Sequence, residues 1–270
     1  MEIWQAIVLG LTQGLTEFLP VSSSGHLAFL MRVFGIQEGG LFFSIILHLG
    51  TLVAVCAVYY KDIIELFKKP FKTLFFLVVA SVPAAIVGFL LEDIVDEQLL
   101  GSTHLGIILA VFFTITATVL FTTEIIAKKR QKELPLCWRT VIPMGVAQAV
   151  AILPGISRSG STICAGTIAG GKSEEVAKFS FLMSIPVILG SFVVSLAKGL
   201  YKGEIQQDFI DNGSTYGWCI ALGFIISAVA GLIAIKVMLK LIQKANYKWF
   251  SVYLVLLAIV CIVLYCCGKF

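Results

Sequence analysis

Two apolar stretches, residues 3 to 34 and 140 to 172, are each interrupted near the middle by proline, glycine and serine, and each carries charge. The first reads LTQGLTEFLPVSSSGH at 11 to 26, the second VAQAVAILPGISRSGST at 146 to 162. Aligned on Gly10 and Gly145, both begin Gly-x-x-Gln, reach Leu-Pro within a residue of each other, and close at Gly25 and Gly160. The offset is 135 residues in a chain of 270. A single membrane domain is therefore expected, with repeat 1 over about 1–135 and repeat 2 over about 136–270. Between them the two segments hold Glu17, His26 and Arg158. A charged side chain at membrane depth costs on the order of 3 kcal/mol even on the lenient insertion scale, so these residues need a use.

The case for a membrane rests on composition. Hydrophobic residues make up 59% of the chain and charged residues 13%, with a mean hydropathy of +0.98, against roughly 45–50% and 25% in soluble domains. No loop is long enough to hide a soluble domain. The chain opens Met-Glu-Ile-Trp, with neither a basic n-region nor a small-residue cleavage site, so insertion is expected through the mature helices. Seven cysteines, Cys56, Cys137, Cys164, Cys219, Cys261, Cys266 and Cys267, lack C-x-x-C or paired Cys/His spacing and read as small hydrophobes. A net charge of +4 is explained by topology, so the expected surroundings are a lipid bilayer and not a nucleic acid.

Six stretches have spanning length: about 42–60, 73–91, 105–127, 174–197, 216–236 and 249–267. Loops 61–72, 128–139 and 240–248 are rich in Lys and Arg, whereas 91–104 has none and 199–215 has only Lys202. The positive-inside rule makes the first three cytoplasmic and puts both termini outside. In the two broken stretches each arm is about a dozen residues, short of the roughly 20 that a bilayer requires. Each is expected as a re-entrant helical hairpin, one over 3–34 and one over 140–172. Three spans separate them, so the second copy is inverted, with its break near the midplane where irregular backbone can line a cavity. The fold class expected is thus an all-α polytopic membrane protein, six transmembrane helices plus two re-entrant hairpins in an inverted repeat.

The breaks carry the chemistry. Gln13 and Glu17 stand at i and i+4 and project from one helical face, an arrangement suited to a cation or a proton. After Leu19-Pro20, the run Val21-Ser22-Ser23-Ser24-Gly25-His26 supplies an N-cap and a flexible break before a new helical arm, whose free amides make an anion site. Ser23 or His26 could attack phosphorus, with the other residue or Glu17 handling the proton. The second break, Pro154-Gly155-Ile156-Ser157-Arg158-Ser159-Gly160, adds a guanidinium whose fork matches phosphate oxygens. An Arg158–Glu17 ion pair that simply joins the repeats is the competing explanation. Two helix N-termini with Arg158 describe a cradle for a polyanion, and Glu17 inside it calls for a bridging divalent cation, Mg²⁺ or Ca²⁺ rather than zinc. His48, in the span 42–60, reads as a packing histidine.

Together the two motifs resemble the undecaprenyl-diphosphate phosphatases, integral membrane enzymes associated with bacitracin resistance, over essentially the whole chain. The resemblance implies removal of the terminal phosphate from a C55 lipid diphosphate, recycling the carrier for cell-wall synthesis. The implied location is a bacterial inner membrane, with the site open toward the outer face. It implies catalytic roles for Glu17, Ser23, His26 and Arg158, with Glu17 at the metal and Gln13, Ser22, Ser24, Gly25, Ser157, Ser159 and Gly160 around the substrate. Ser23 and His26 both stand as nucleophile candidates, Ser23 the favoured one. Many members have Glu where this chain has Gln13, so a cation site built on two carboxylates of this helix is not expected. The rival reading is a carrier that flips the polyprenyl phosphate, because inverted repeats with broken helices also build transporters. The oligomeric state is left open, a homodimer included.

Overall fold

The computed structural model describes residues 1–36, 40–130, 132–202, 204–242 and 247–270. Residues 243–246, within the basic stretch 240–248 expected on the cytoplasmic side, lie outside them, as do 131 and 203 in two other loops. Regular structure among the described residues is helical, apart from one isolated parallel bridge between Leu134 and Gly171. In order the helices are α1 (Ile3–Phe18), α2 (Ser23–Val33), α3 (Gly40–Val58), α4 (Tyr60–Leu66), α5 (Lys72–Asp93), α6 (Leu105–Lys129), α7 (Trp138–Val150), α8 (Arg158–Ile168), α9 (Ser173–Lys202), α10 (Glu204–Ile242) and α11 (Lys248–Cys266). A π-helical turn, Ile94–Leu100, continues α5.

Among the described residues five helical segments are long and apolar enough to cross a bilayer: Lys72–Leu91, Leu105–Lys129, Ser173–Tyr201, Thr215–Leu241 and Lys248–Cys266. A sixth is counted if Phe42–Val58 and Tyr60–Leu66, bent by 80° at their junction, form one span. The five coincide with five of the six stretches expected from hydropathy, the bent pair overlaps the remaining one, 42–60, and the protein is a multi-pass membrane protein. The helices run longer than expected. α9 reaches Lys202 and α10 begins at Glu204, so most of the expected loop 199–215 is helical, with a break at Gly213 (φ 61°, ψ −154°). The arms of the broken stretches are short: 16 residues in α1, 11 in α2, 13 in α7 and 11 in α8.

Glycines at matching positions seat α1 and α7. In lipid, helices associate by close packing of small residues and not by hydrophobic expulsion from water. A Cβ on Gly10 would come within 2.9 Å of the Gly223 carbonyl oxygen on α10, and one on Gly14 within 2.5 Å of Ala230 Cβ. Gly145 approaches α5 as Gly10 approaches α10, its Cβ position 2.8 Å from the Ala80 carbonyl oxygen. α10 also packs along α3, and α5 along α9, while α6 and α11 lie against each other. Large apolar side chains such as Phe89, Trp249 and Phe67 point away from the bundle, as a lipid-facing surface allows. At the centre, Phe18 on α1, Phe113 on α6 and Phe181 on α9 are fully buried and frame the ends of the two short pairs.

Candidate active site

Each short pair turns on a proline and a serine cap. α1 stops where Leu19 becomes extended (φ −77°, ψ 148°), the conformation favoured before a proline, here Pro20. Ser22 then caps α2, its Oγ accepting from the Gly25 amide at 3.3 Å. Ser157 caps α8 in the same manner, accepting from the Gly160 amide at 3.0 Å. The second hydroxyl of each run leans on the cap: Ser24 Oγ lies 3.4 Å from Ser22 Oγ, and Ser159 Oγ lies 3.3 Å from Ser157 Oγ. Ser22 differs in its backbone, with φ 66° and ψ 91°, a positive φ uncommon outside glycine. Such strain persists only where surrounding contacts over-determine it. Here the Ser22 Oγ also accepts from the Gly155 amide at 3.1 Å, and its carbonyl accepts from the His26 amide at 3.2 Å.

The two breaks meet backbone to backbone. A Cβ on Gly25 would sit 2.8 Å from the Gly155 Cα and 2.7 Å from Phe113 Cε1, so no side chain fits between the segments. Gly155 itself has φ 101°, in the region that favours glycine. Ser159 Oγ donates to the Leu19 carbonyl at 2.8 Å. Thr116 on α6 ties in the second break, donating to the Gly155 carbonyl at 3.1 Å and accepting from the Ser157 amide at 3.2 Å. The first turns of α2 and α8, each with amides unsatisfied within its own helix, are thereby brought together.

Glu17 is the hub of the side chains. It is 6% exposed, and Arg158 Nη2 donates to its Oε1 at 2.7 Å. Its Oε2 accepts from Ser23 Oγ at 2.6 Å and from Gln13 Nε2 at 2.9 Å. Three expected site residues, Gln13 of α1, Ser23 of α2 and Arg158 of α8, therefore converge on the carboxylate of a fourth. Arg158 also donates through Nη1 to the Ser180 carbonyl at 3.3 Å, so two of its five N–H groups have named partners and the rest of the fork can meet an anion. Ser180 Oγ is paired with Thr162 Oγ1 at 2.6 Å, which fixes the wall behind the guanidinium.

His26 takes another direction. Its Nδ1 lies 2.7 Å from the Ser22 carbonyl and its Nε2 lies 2.7 Å from the Tyr253 hydroxyl on α11. The histidine that meets Glu17 is instead His48 on α3, its Nε2 3.6 Å from Oε2 while its Nδ1 faces the Ser44 carbonyl at 2.8 Å. His48, expected as a packing residue, thus borders the cluster. Its imidazole in an otherwise apolar span was the signal that could have drawn it in. Tyr253 gave no such signal, since tyrosines are common near membrane interfaces. Nothing local marks Ser180 or Thr116 either, because only the fold brings them in.

The Oε1 of Gln13 is buried beside the Glu17 carboxylate without a hydrogen-bond partner among the described residues, and two such oxygens suit a hard divalent ion. No group of three His, Cys, Asp or Glu among the described residues forms a metal cage of its own. Any such ion would therefore draw most of its ligands from phosphate and water, as Mg²⁺ commonly does.

The chain matches the family model described as bacitracin resistance protein BacA over residues 6–260. It is 40% identical, over the full length of both chains, to a protein of Carboxydothermus hydrogenoformans named undecaprenyl-diphosphatase. Proteins of the same name from Caldicellulosiruptor bescii and Methanobrevibacter smithii are 40% and 37% identical, covering 98% and 94% of each chain. With Gln13, Ser23 and Arg158 gathered at one buried carboxylate and its whole length matched, the chain belongs to the BacA family of bacitracin resistance proteins.

Proposed function

We infer that this protein hydrolyses undecaprenyl diphosphate to undecaprenyl phosphate and inorganic phosphate, recycling the carrier lipid for cell-wall synthesis. The observation that carries the reading is the Ser23 hydroxyl, 2.6 Å from a carboxylate that Arg158 holds from the other side. A nucleophile, a base within hydrogen-bond reach and an anion clamp at two helix N-termini are what phosphoryl transfer needs. The name shared by the relatives supports the enzyme over a carrier of the same lipid.

In this mechanism Arg158 and the first-turn amides of α2 and α8 bind the terminal phosphate. Glu17 accepts the Ser23 proton as Oγ bonds to the terminal phosphorus, and the bridging P–O bond breaks to release undecaprenyl phosphate. Water then attacks the phosphoserine, freeing inorganic phosphate and restoring the Ser23 hydroxyl, with His26 handling a proton in the cycle. Gln13 and Glu17 would hold a divalent cation, Mg²⁺ or Ca²⁺, which when bound neutralises charge on the diphosphate. The ion pair between Glu17 and Arg158 is then a resting arrangement of catalytic groups. As a pure tether it would be a poor device, since buried pairs often break even against apolar packing.

The finer architecture belongs to the same reading: six spans and two re-entrant hairpins, α1–α2 and α7–α8, as an inverted repeat. It is supported by the echo in the packing, where α1 on α10 corresponds to α7 on α5, and α3 on α10 to α9 on α5. Loop charges favour both termini outside, and the family resemblance implies a bacterial cytoplasmic membrane with the site open toward the outer face. Single cysteines in a cysteine-free chain test this orientation: one in the loop 91–104 reacts with an impermeant maleimide on intact cells, and one in 61–72 does not.

Phosphate release from undecaprenyl diphosphate by the purified protein tests the activity, wild type against Glu17→Ala, Ser23→Ala, His26→Ala and Arg158→Ala. Wild type is expected to be active and the variants impaired. Full activity in all four variants would overturn the site.

A further inference from the structure

His26 is 6% exposed, and both of its ring nitrogens are engaged. The partner of Nδ1 is the Ser22 carbonyl, which can only accept, so Nδ1 carries a hydrogen. Nε2 is therefore the nitrogen at which His26 gains or loses a proton. That nitrogen lies 2.7 Å from the Tyr253 hydroxyl, on the last helix of the chain. The two rings lie nearly parallel, 8° apart with centroids at 5.6 Å. Phe113 of α6 closes another side with an edge contact at 5.6 Å. Among the described residues the histidine that lies beside a carboxylate is His48, not His26. A phenol is the one neighbour at Nε2 able to donate to the neutral ring and accept from the protonated one.

We propose that Tyr253 is a positioning residue for the reaction, holding Nε2 of His26 through its hydroxyl and serving as the partner through which that nitrogen exchanges its proton. The inference rests on the proton-handling role given to His26 above. Ser22 and Tyr253 fix the imidazole at both ends, and Ser22 is the same strained residue that receives the Gly155 amide. The orientation of His26 is thereby coupled to the contact between the two breaks and to α11. Ring packing alone would not need the hydroxyl, and a tyrosine serving only as a membrane anchor would turn it to water or headgroups. Tyr265, twelve residues further along α11, pairs with His104 Nδ1 at 2.7 Å in an exposed position, and provides an internal control of like chemistry.

The test compares steady-state phosphate release by the full-length protein carrying Tyr253→Phe or Tyr265→Phe, and by His26→Gln with and without Tyr253→Phe. Tyr253→Phe keeps the ring and is expected to lower kcat about tenfold, a part of the roughly 10²- to 10⁴-fold that acid–base groups contribute, with KM unchanged. Tyr265→Phe is expected to match wild type, and Tyr253→Phe to cost nothing further once His26 is Gln. In ¹⁵N-histidine spectra the Nε2 signal of His26 is expected to move in Tyr253→Phe, a readout independent of turnover. Wild-type kcat in Tyr253→Phe, an equal loss in the His26→Gln background, an unmoved Nε2 signal or loss of the folded protein would each overturn the proposal. Absence of phosphate release from wild type would overturn the hydrolase reading instead.

Discussion

The two breaks begin from one local design and end in different chemistry. Ser22 and Ser157 cap their helices by accepting the amide three residues on. The first residue inside the helix is then Ser23 in one copy and Arg158 in the other. The caps maintain the scaffold, and the position after the cap, aimed at Glu17 in both copies, is where the copies diverged. The first copy offers a hydroxyl and the second a guanidinium, and the carboxylate between them comes only from the first. Gln13 and Gln148 repeat the contrast at the other end of the motif. Gln13 donates to Glu17, whereas the buried amide of Gln148 has no hydrogen-bond partner at either end among the described residues.

The sharpest way to break this comparison is to exchange the two diverged residues. Ser23→Arg with Arg158→Ser keeps composition and net charge but moves nucleophile and clamp to opposite copies. Phosphate release is expected to fall about 10⁴-fold or more, as in Ser23→Ala, because the roles are not interchangeable. A smaller loss is expected for Arg158→Lys, which retains charge but not the fork, at about 10²-fold in kcat/KM. Ser23→Ala is expected to bind substrate with near-normal affinity, so binding and turnover assays separate the copies' tasks.

The scaffold side is read by stability. Gly25→Ala is expected to cost about 2–3 kcal/mol, since its Cβ would strike the Phe113 ring and the Gly155 backbone. Gly160→Ala, where the nearest atom belongs to the Ser157 side chain at 3.0 Å, is expected to cost about 1 kcal/mol. The smallest contrast is between the caps. Ser157→Ala loses one cap, about 1 kcal/mol, and Ser22→Ala loses a cap and a bond to the second copy, about 2 kcal/mol. Unfolding midpoints in detergent measure all four, and equal losses for equivalent positions would show that the copies carry the load alike.

Local signals were legible in the sequence where local physics decides the outcome. Leu19-Pro20 ended a helix and Ser22 and Ser157 began the next, because proline geometry and capping act within four residues. Hydropathy located five spanning segments, and the cost of intramembrane charge singled out Glu17 and Arg158, which are found paired at 2.7 Å, the pairing expected only under the competing explanation. What escaped was set over long range. His48 reaches Glu17 from another helix, and Tyr253 reaches His26 across 227 residues, and no pattern in either segment announces the partner. The 80° bend between α3 and α4 and the continuation of α9 past the expected span also escaped a reading based on average hydropathy.

The seating of α1 has a consequence for how the protein is made. α1 ends at Phe18, and the helix it packs on most, α10, begins at Glu204. At about 5–20 residues per second, ribosomes need on the order of 10–40 s to deliver that partner. Through that interval Glu17 has its own-segment neighbours Gln13 and Ser23 but not the glycine-lined wall of α10, and Arg158, at the start of α8, is made only in its later part. The first broken segment must therefore be held by lipid, by the insertion machinery or by the early spans until the chain is nearly complete. Truncations before α10 should accordingly leave α1 extractable or open to proteolysis, even though every residue of its own motif is present.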